Sequence, residues 1–146
     1  MEREQIVEAL NDNLRAELSA VEMYGAHANA IPEDAIAEGV RAIMQVEQRH
    51  ARDLHERIEA LGGSPAEPGG RETVAGRAAG AATAQASTSE MLRLELAEEQ
   101  QFIRDYAAEI AEIMDDEETL DMLQEHLNDE IEHSRWMKAQ LAALGT

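Results

Sequence analysis

The sequence predicts an all-α fold, a four-helix bundle of two antiparallel helix pairs joined by a long crossover. Three observations carry that prediction. Ala, Leu, Glu and Met dominate while aromatics make up only 3% of the chain, so strong helix formers outweigh the residues that favour strands. Apolar residues recur at helical spacing in four blocks. Between the second and third blocks lies a stretch rich in Gly, Pro and Ala that interrupts the periodicity. With 146 residues the chain suits one well-packed domain, 1–146, and is too short for two.

The first helix is expected over about residues 4–30, with Ile6, Leu10, Leu14, Val21 and Tyr24 on one stripe. Pro32 then breaks the chain and suits the first turn of the second helix, expected over about 33–61 through Val40, Ile43, Leu54 and Ile58. Gly62 and Gly63 end it. The third helix is expected over about 89–114, and the fourth over about 116–144, with Asp115 or Asp116 of "MDDEE" as its cap. The two short junctions make helices one and two, and helices three and four, antiparallel neighbours. Residues 62–88 form the crossover: "GGSPAEPGGRE" is loop chemistry, and "TVAGRAAGAATAQAS" is small-residue-rich and compatible with a partial helix. A helix of about 27 residues is about 40 Å long, and about 12 extended residues span that distance. The crossover can therefore return helix three parallel to helix two.

Charge and composition exclude several functions. A formal net charge of −19 opposes binding to nucleic acid or to anionic membranes, because phosphates are repelled. The absence of cysteine removes disulfides, zinc fingers and thiolate-held iron. The opening "MEREQIVEAL" has no apolar signal segment, and no run reaches the roughly 18 apolar residues of a membrane span. A soluble cytoplasmic protein is expected.

Against that background, several acidic residues stand in the wrong place. Glu130 shares a helical stripe with Leu123, Met137, Leu141 and Leu144, with His133 beside it. Glu47 lies in line with Ile43, Leu54 and Ile58, again with a histidine three residues on, His50. Glu17 sits on the stripe of Ile6, Leu10, Val21 and Tyr24, and Glu95 on that of Leu92, Phe102, Tyr106 and Ile113. An unpaired ionised carboxylate in an apolar interior costs several kcal/mol. The 12 Lys and Arg residues do not compensate, since none lies centrally on these stripes. Cations from outside would. Four carboxylates and two imidazoles suit two divalent ions, and the oxygen and nitrogen donors fit iron, or manganese, better than a closed zinc site. One Glu-x-x-His in a chain with 31 acidic residues says little, but two on core stripes, each with a companion Glu on the preceding helix, form a repeat. Tyr24 is either core or a hydrogen-bond donor to a ligand carboxylate. His27 is read as a surface residue or a support behind the ligands, and His55 and His126 as structural.

These motifs resemble the ferritin-like di-iron carboxylate superfamily, bacterioferritin above all, with rubrerythrins and demethoxyubiquinone hydroxylases as relatives. The likeness rests on "AELSAVEMYGAH", "EQRHARDLHERIEALGG", "LELAEEQQF" and "DEIEHSRWM", the last down to Trp136, and it covers nearly the whole chain. The resemblance implies a ferritin-like bundle with two iron ions on Glu17, Glu47, His50, Glu95, Glu130 and His133, and with Glu47 and Glu130 as bridges. Glu98 and Glu99 crowd Glu95, and either can join or replace it, as an additional carboxylate does in rubrerythrins. The residue after the helix-two glutamate, a haem-binding Met in bacterioferritin, is Gln48 here, so no haem is expected. Nor do residues follow helix four for the short fifth helix of cage-forming relatives, Gly145 and Thr146 ending the sequence. The implied activity is a ferroxidase, oxidising Fe(II) with O2 or peroxide, with an external electron donor compatible. The alternatives are a di-iron hydroxylase of an organic substrate and a non-enzymatic bundle that metals hold together. A homodimer or other small homo-oligomer is expected, burying outer faces of helices one and two.

Overall fold

The computed structural model describes residues 1–145; Thr146, part of the expected chain end, lies outside them. The helices are α1 (Arg3–Ala30), α2 (Asp34–Ala60), α3 (Arg71–Thr83), α4 (Thr88–Glu112) and α5 (Glu117–Ala143), and no strand forms among the described residues. The four long helices are the expected ones, each end within two residues of its expected place. Their boundaries have local causes. Gln5 accepts from the backbone N–H of Glu2 at the start of α1 (2.8 Å), Ser87 caps α4 and Asp116 caps α5. Gly62, at φ +84°, supplies the left-handed residue that closes α2. Pro32 stands before the N-cap Glu33 and not inside the first turn of α2, so its missing N–H costs the helix nothing.

Cross-helix contacts set the directions. Asn13 meets Glu109 and His27 meets Glu95, so α1 and α4 run antiparallel. Gly39 lies under Trp136, His50 meets Asp129, and Arg57 meets Thr119, so α2 and α5 do too. With α1 antiparallel to α2 across a short turn, α2 and α4 are parallel, as the long crossover requires. A Cβ on Gly39 would fall 2.1 Å from the Trp136 ring, which is why these two helices can approach so closely.

The crossover holds the one helix the periodicity only half indicated. α3 packs on the side of α1 through Thr73, Gly76 and Gly80, and a Cβ on Gly76 would meet the Ser19 backbone. Asn11 anchors the preceding loop at both ends of its amide, to the Ser64 carbonyl and the Ala66 N–H (both 2.9 Å). The core is a continuous column including Leu10, Leu14, Tyr24, Val40, Leu54, Ile58, Leu92, Phe102, Tyr106, Leu123 and Met137. No helix among the described residues is long and apolar enough to cross a membrane.

Candidate metal centre

Halfway along the bundle the apolar column gives way to acid. Glu17, Glu47, His50, Glu99 and Glu130 are fully buried and His133 is 8% exposed. They fall into two overlapping groups, Glu17–Glu47–His50–Glu130 and Glu47–Glu99–Glu130–His133, in each of which one donor atom per residue lies within 4.8 Å of all the others. Glu47 and Glu130 belong to both. His50 Nδ1 lies 3.5 Å from Glu17, 4.0 Å from Glu47 and 3.3 Å from Glu130, while His133 Nδ1 lies 3.1 Å from Glu47, 2.6 Å from Glu99 and 3.5 Å from Glu130.

Five of the six residues expected from the sequence are therefore brought together, and Glu95 is not. Glu95 is buried one turn before Glu99 on α4, but its Oε2 is 2.6 Å from His27 Nδ1, outside both groups. Its place is taken by Glu99, whereas Glu98 points to solvent. Glu95 and Glu99 share the inward stripe, and periodicity cannot tell which of two such residues lies level with the other helices' glutamates. The discriminating signal was a repeat. Glu17 is followed seven residues later by Tyr24, and Glu99 seven residues later by Tyr106. The pairs are reciprocal across the centre: Tyr24 donates to Glu99 Oε2 (2.9 Å), and Tyr106 donates to Glu17 Oε1 (2.8 Å). Burial, then the neighbouring carboxylates, push both phenols well above their ordinary range, so each stays a donor.

His27 is not a surface residue. It is fully buried between Glu95 and Thr83, whose Oγ1 is 2.6 Å from its Nε2, so α3 is tied to the centre's edge. His126, expected to be structural, is buried and stacked on His50 with ring centroids 3.9 Å apart. His55 is half-buried beside Glu59 and Glu67.

The residues present fit a pair of divalent cations. Both oxygens of Glu47, both of Glu130, Glu17 Oε2 and His50 Nδ1 are buried without a hydrogen-bond partner. Burial and the carboxylates around them raise Glu17 and Glu47 above the ordinary range, and burial lifts Glu99 to about 8. Burial pulls the two imidazoles down, but the glutamate carboxylates close around them overcome it and raise His50 to about 11 and His133 to about 9. Buried oxygen and imidazole donors left without partners in this way are able to bind metal.

The ferritin-like domain family model matches residues 7–145. The chain belongs to the ferritin-like family. Among solved structures this ferritin-like protein is similar to the bacterioferritin BfrA of Mycobacterium tuberculosis, with TM-score 0.80 and 23% identity over 97% of this chain and 86% of that one. It is similar to a two-domain protein of Anabaena variabilis with DJ-1/ThiJ/PfpI-like and ferritin-like domains (TM-score 0.79, 19% identity, 98% of this chain and 40% of that one). It also resembles the bacterioferritin of Rhodobacter capsulatus, described with a metal-free dinuclear site and a haem iron (TM-score 0.70, 24% identity, 95% and 84%). No curated protein matches the chain by sequence alone.

Proposed function

We propose that this ferritin-like protein is a di-iron carboxylate oxidoreductase of the ferroxidase kind, oxidising Fe(II) with O2 or peroxide. The observation that supports this reading is the pair of four-donor groups sharing Glu47 and Glu130, with their oxygens otherwise unpartnered. Two ferrous ions are the substrate: each gives up one electron, and O2 with two protons takes both to become hydrogen peroxide. Glu47 and Glu130 would hold the two ions at one distance as charge rises from ferrous to ferric. Glu17 with His50, and Glu99 with His133, would close the two ends, while Tyr24 and Tyr106 fix the terminal carboxylates by hydrogen bonds. An acidic surface on a chain of charge −19 raises the local concentration of cations.

Hydroxylation of an organic substrate is less well supported. It needs an apolar pocket beside the metals, and the cavity of about 600 Å³ between α1, α2 and the crossover is lined by Leu14, Leu18, Val21 and Ala51 but by none of the six donors. Haem is not part of the proposal, because Gln48 offers an amide where a thioether would be needed.

Adding Fe(II) to the apo-protein under air tests the reading. Rapid ferric absorbance with oxygen uptake, in wild type and not in Glu47→Ala or Glu130→Ala, is the expected result. Full occupancy by two metals in both variants, on elemental analysis, would reject the shared site.

A further inference from the structure

The centre is nearly two-fold symmetric, and the places where the symmetry fails say something about its two halves. Glu17 and Glu99, Glu47 and Glu130, Tyr24 and Tyr106, and His50 and His133 all correspond. The surroundings of the two imidazoles do not. His50 Nε2 lies 2.8 Å from Asp129 Oδ2, the residue before Glu130, and Arg49 holds the same oxygen at 3.4 Å. The ring is also stacked on His126, four residues before Glu130, which is itself bonded to Asp53 at 3.1 Å. In the other half the residue before Glu47 is Val46 and the one four before it is Ile43. Neither can accept a hydrogen bond or stack as an imidazole does. No side chain among the described residues bonds His133 Nε2, and its side chain is 10% exposed where that of His50 is 0%.

We propose that the two metal positions are unequal: the one at His50 binds its ion first and more tightly, and the one at His133 binds second and more weakly. A carboxylate on the far nitrogen of a ligand imidazole fixes the tautomer with its lone pair toward the metal, fixes the ring and raises its basicity; loss of such a partner costs about 10–100-fold in affinity. His50 has that partner and His133 does not, while the carboxylate ligands of the two halves match. Asp129 is thus a positioning residue, acting on one metal position through His50. The consequence is a centre that loads its two ions in a fixed order, the His50 position before the His133 position. This rests on the dinuclear reading above.

The test is metal binding without turnover. The full-length apo-protein is titrated under argon with Mn(II), by calorimetry and by electron paramagnetic resonance. Two steps separated by at least about tenfold are expected. One equivalent should give an isolated-ion signal, which the second equivalent converts to that of a coupled pair. Asp129→Asn should weaken the first step by about 10–100-fold and leave the second, collapsing the separation. Val46→Asp, which puts a carboxylate at the corresponding place, should strengthen the second step and leave the first; this gain does not depend on how well Asp129→Asn folds. Two ions bound with one affinity in wild type, or Asp129→Asn weakening both steps alike, would overturn the inequality and leave the di-iron reading standing. Failure of the wild type to bind Mn(II) or Fe(II) would overturn both.

Discussion

At the scale of single residues, the instructive pair is Glu95 and Glu99. Hydrophobic periodicity places both on the inward face of α4, so the presence of a buried carboxylate was legible and its level along the helix was not. That level is decided by the partners α1 supplies, Tyr24 for Glu99 and His27 for Glu95, and cross-helix contacts are not written in one helix's pattern. The same limit hid Asp129, which reads as a solvated acid until His50 is seen beside it. By contrast the two Glu-x-x-His motifs were legible because both residues of each lie on one helix. A direct prediction follows from the geometry. Glu99→Gln should weaken metal binding at the His133 position by at least about tenfold, since loss of even an outer partner costs that much. Glu95→Gln should leave two ions bound per chain, because the carboxylate faces His27. Calorimetry with Mn(II) on the two variants checks it, and the opposite ranking would return Glu95 to the ligand set.

At the scale of elements, α3 shows why a helix can hide in plain sight. Its buried stripe is Thr73, Gly76 and Gly80, which carries no hydrophobic periodicity, so the sequence indicates small residues and little else. The smallness is the packing device. Gly76 lets the α3 backbone reach that of α1, and a Cβ there would sit 2.3 Å from the Ser19 carbonyl oxygen. Gly76→Ala therefore sets two effects against each other. Helix propensity gains about 0.5–1 kcal/mol, while overpacking against backbone costs about 1–3 kcal/mol. Because the obstructing atoms are backbone and cannot swing aside, the overpacking term should win. A lowered melting temperature, with faster proteolysis in the crossover, is the expected outcome; a raised melting temperature would show that α3 docks more loosely. The four long helices were legible for the converse reason, since each must bury a wide apolar stripe.

At the scale of the whole molecule, charge governs both assembly and stability. A charge of −19 per chain opposes packing many copies together unless cations intervene. Light scattering at physiological salt should give a dimer or other small oligomer; a particle near 24 chains, stable on dilution, would reject this and favour iron storage. The same charges, concentrated in the core, set how stability responds to pH. In the apo-protein Glu17, Glu47 and Glu99 have raised pKa values through burial, Glu99 to about 8, and the glutamates raise His133 to about 9 and His50 to about 11. Each of these groups binds its proton more tightly folded than unfolded. Their contribution is complete below the unfolded values, near 4.5 for Glu and 6.5 for His, and is lost as pH climbs toward 8, 9 and 11. Glu130 and His126, both buried, act in the opposite sense. The imidazoles of His133 and His50 close beside it outweigh burial and hold Glu130 near 2, and burial lowers His126 to about 4, so both favour the fold as pH rises from strong acid. Apo stability should then peak at mildly acidic pH and fall from pH 6 to pH 9. Metal binding demands the deprotonated ligands, so its stabilisation, about 2.7 kcal/mol at a hundredfold excess over Kd, should grow over the same range. Calorimetric melting of the apo and Mn(II)-loaded protein at pH 6, 7.5 and 9 checks this. An apo melting temperature that rises with pH, or a gap between the two forms that narrows, would mean that the buried acids are not the groups that hold the protons.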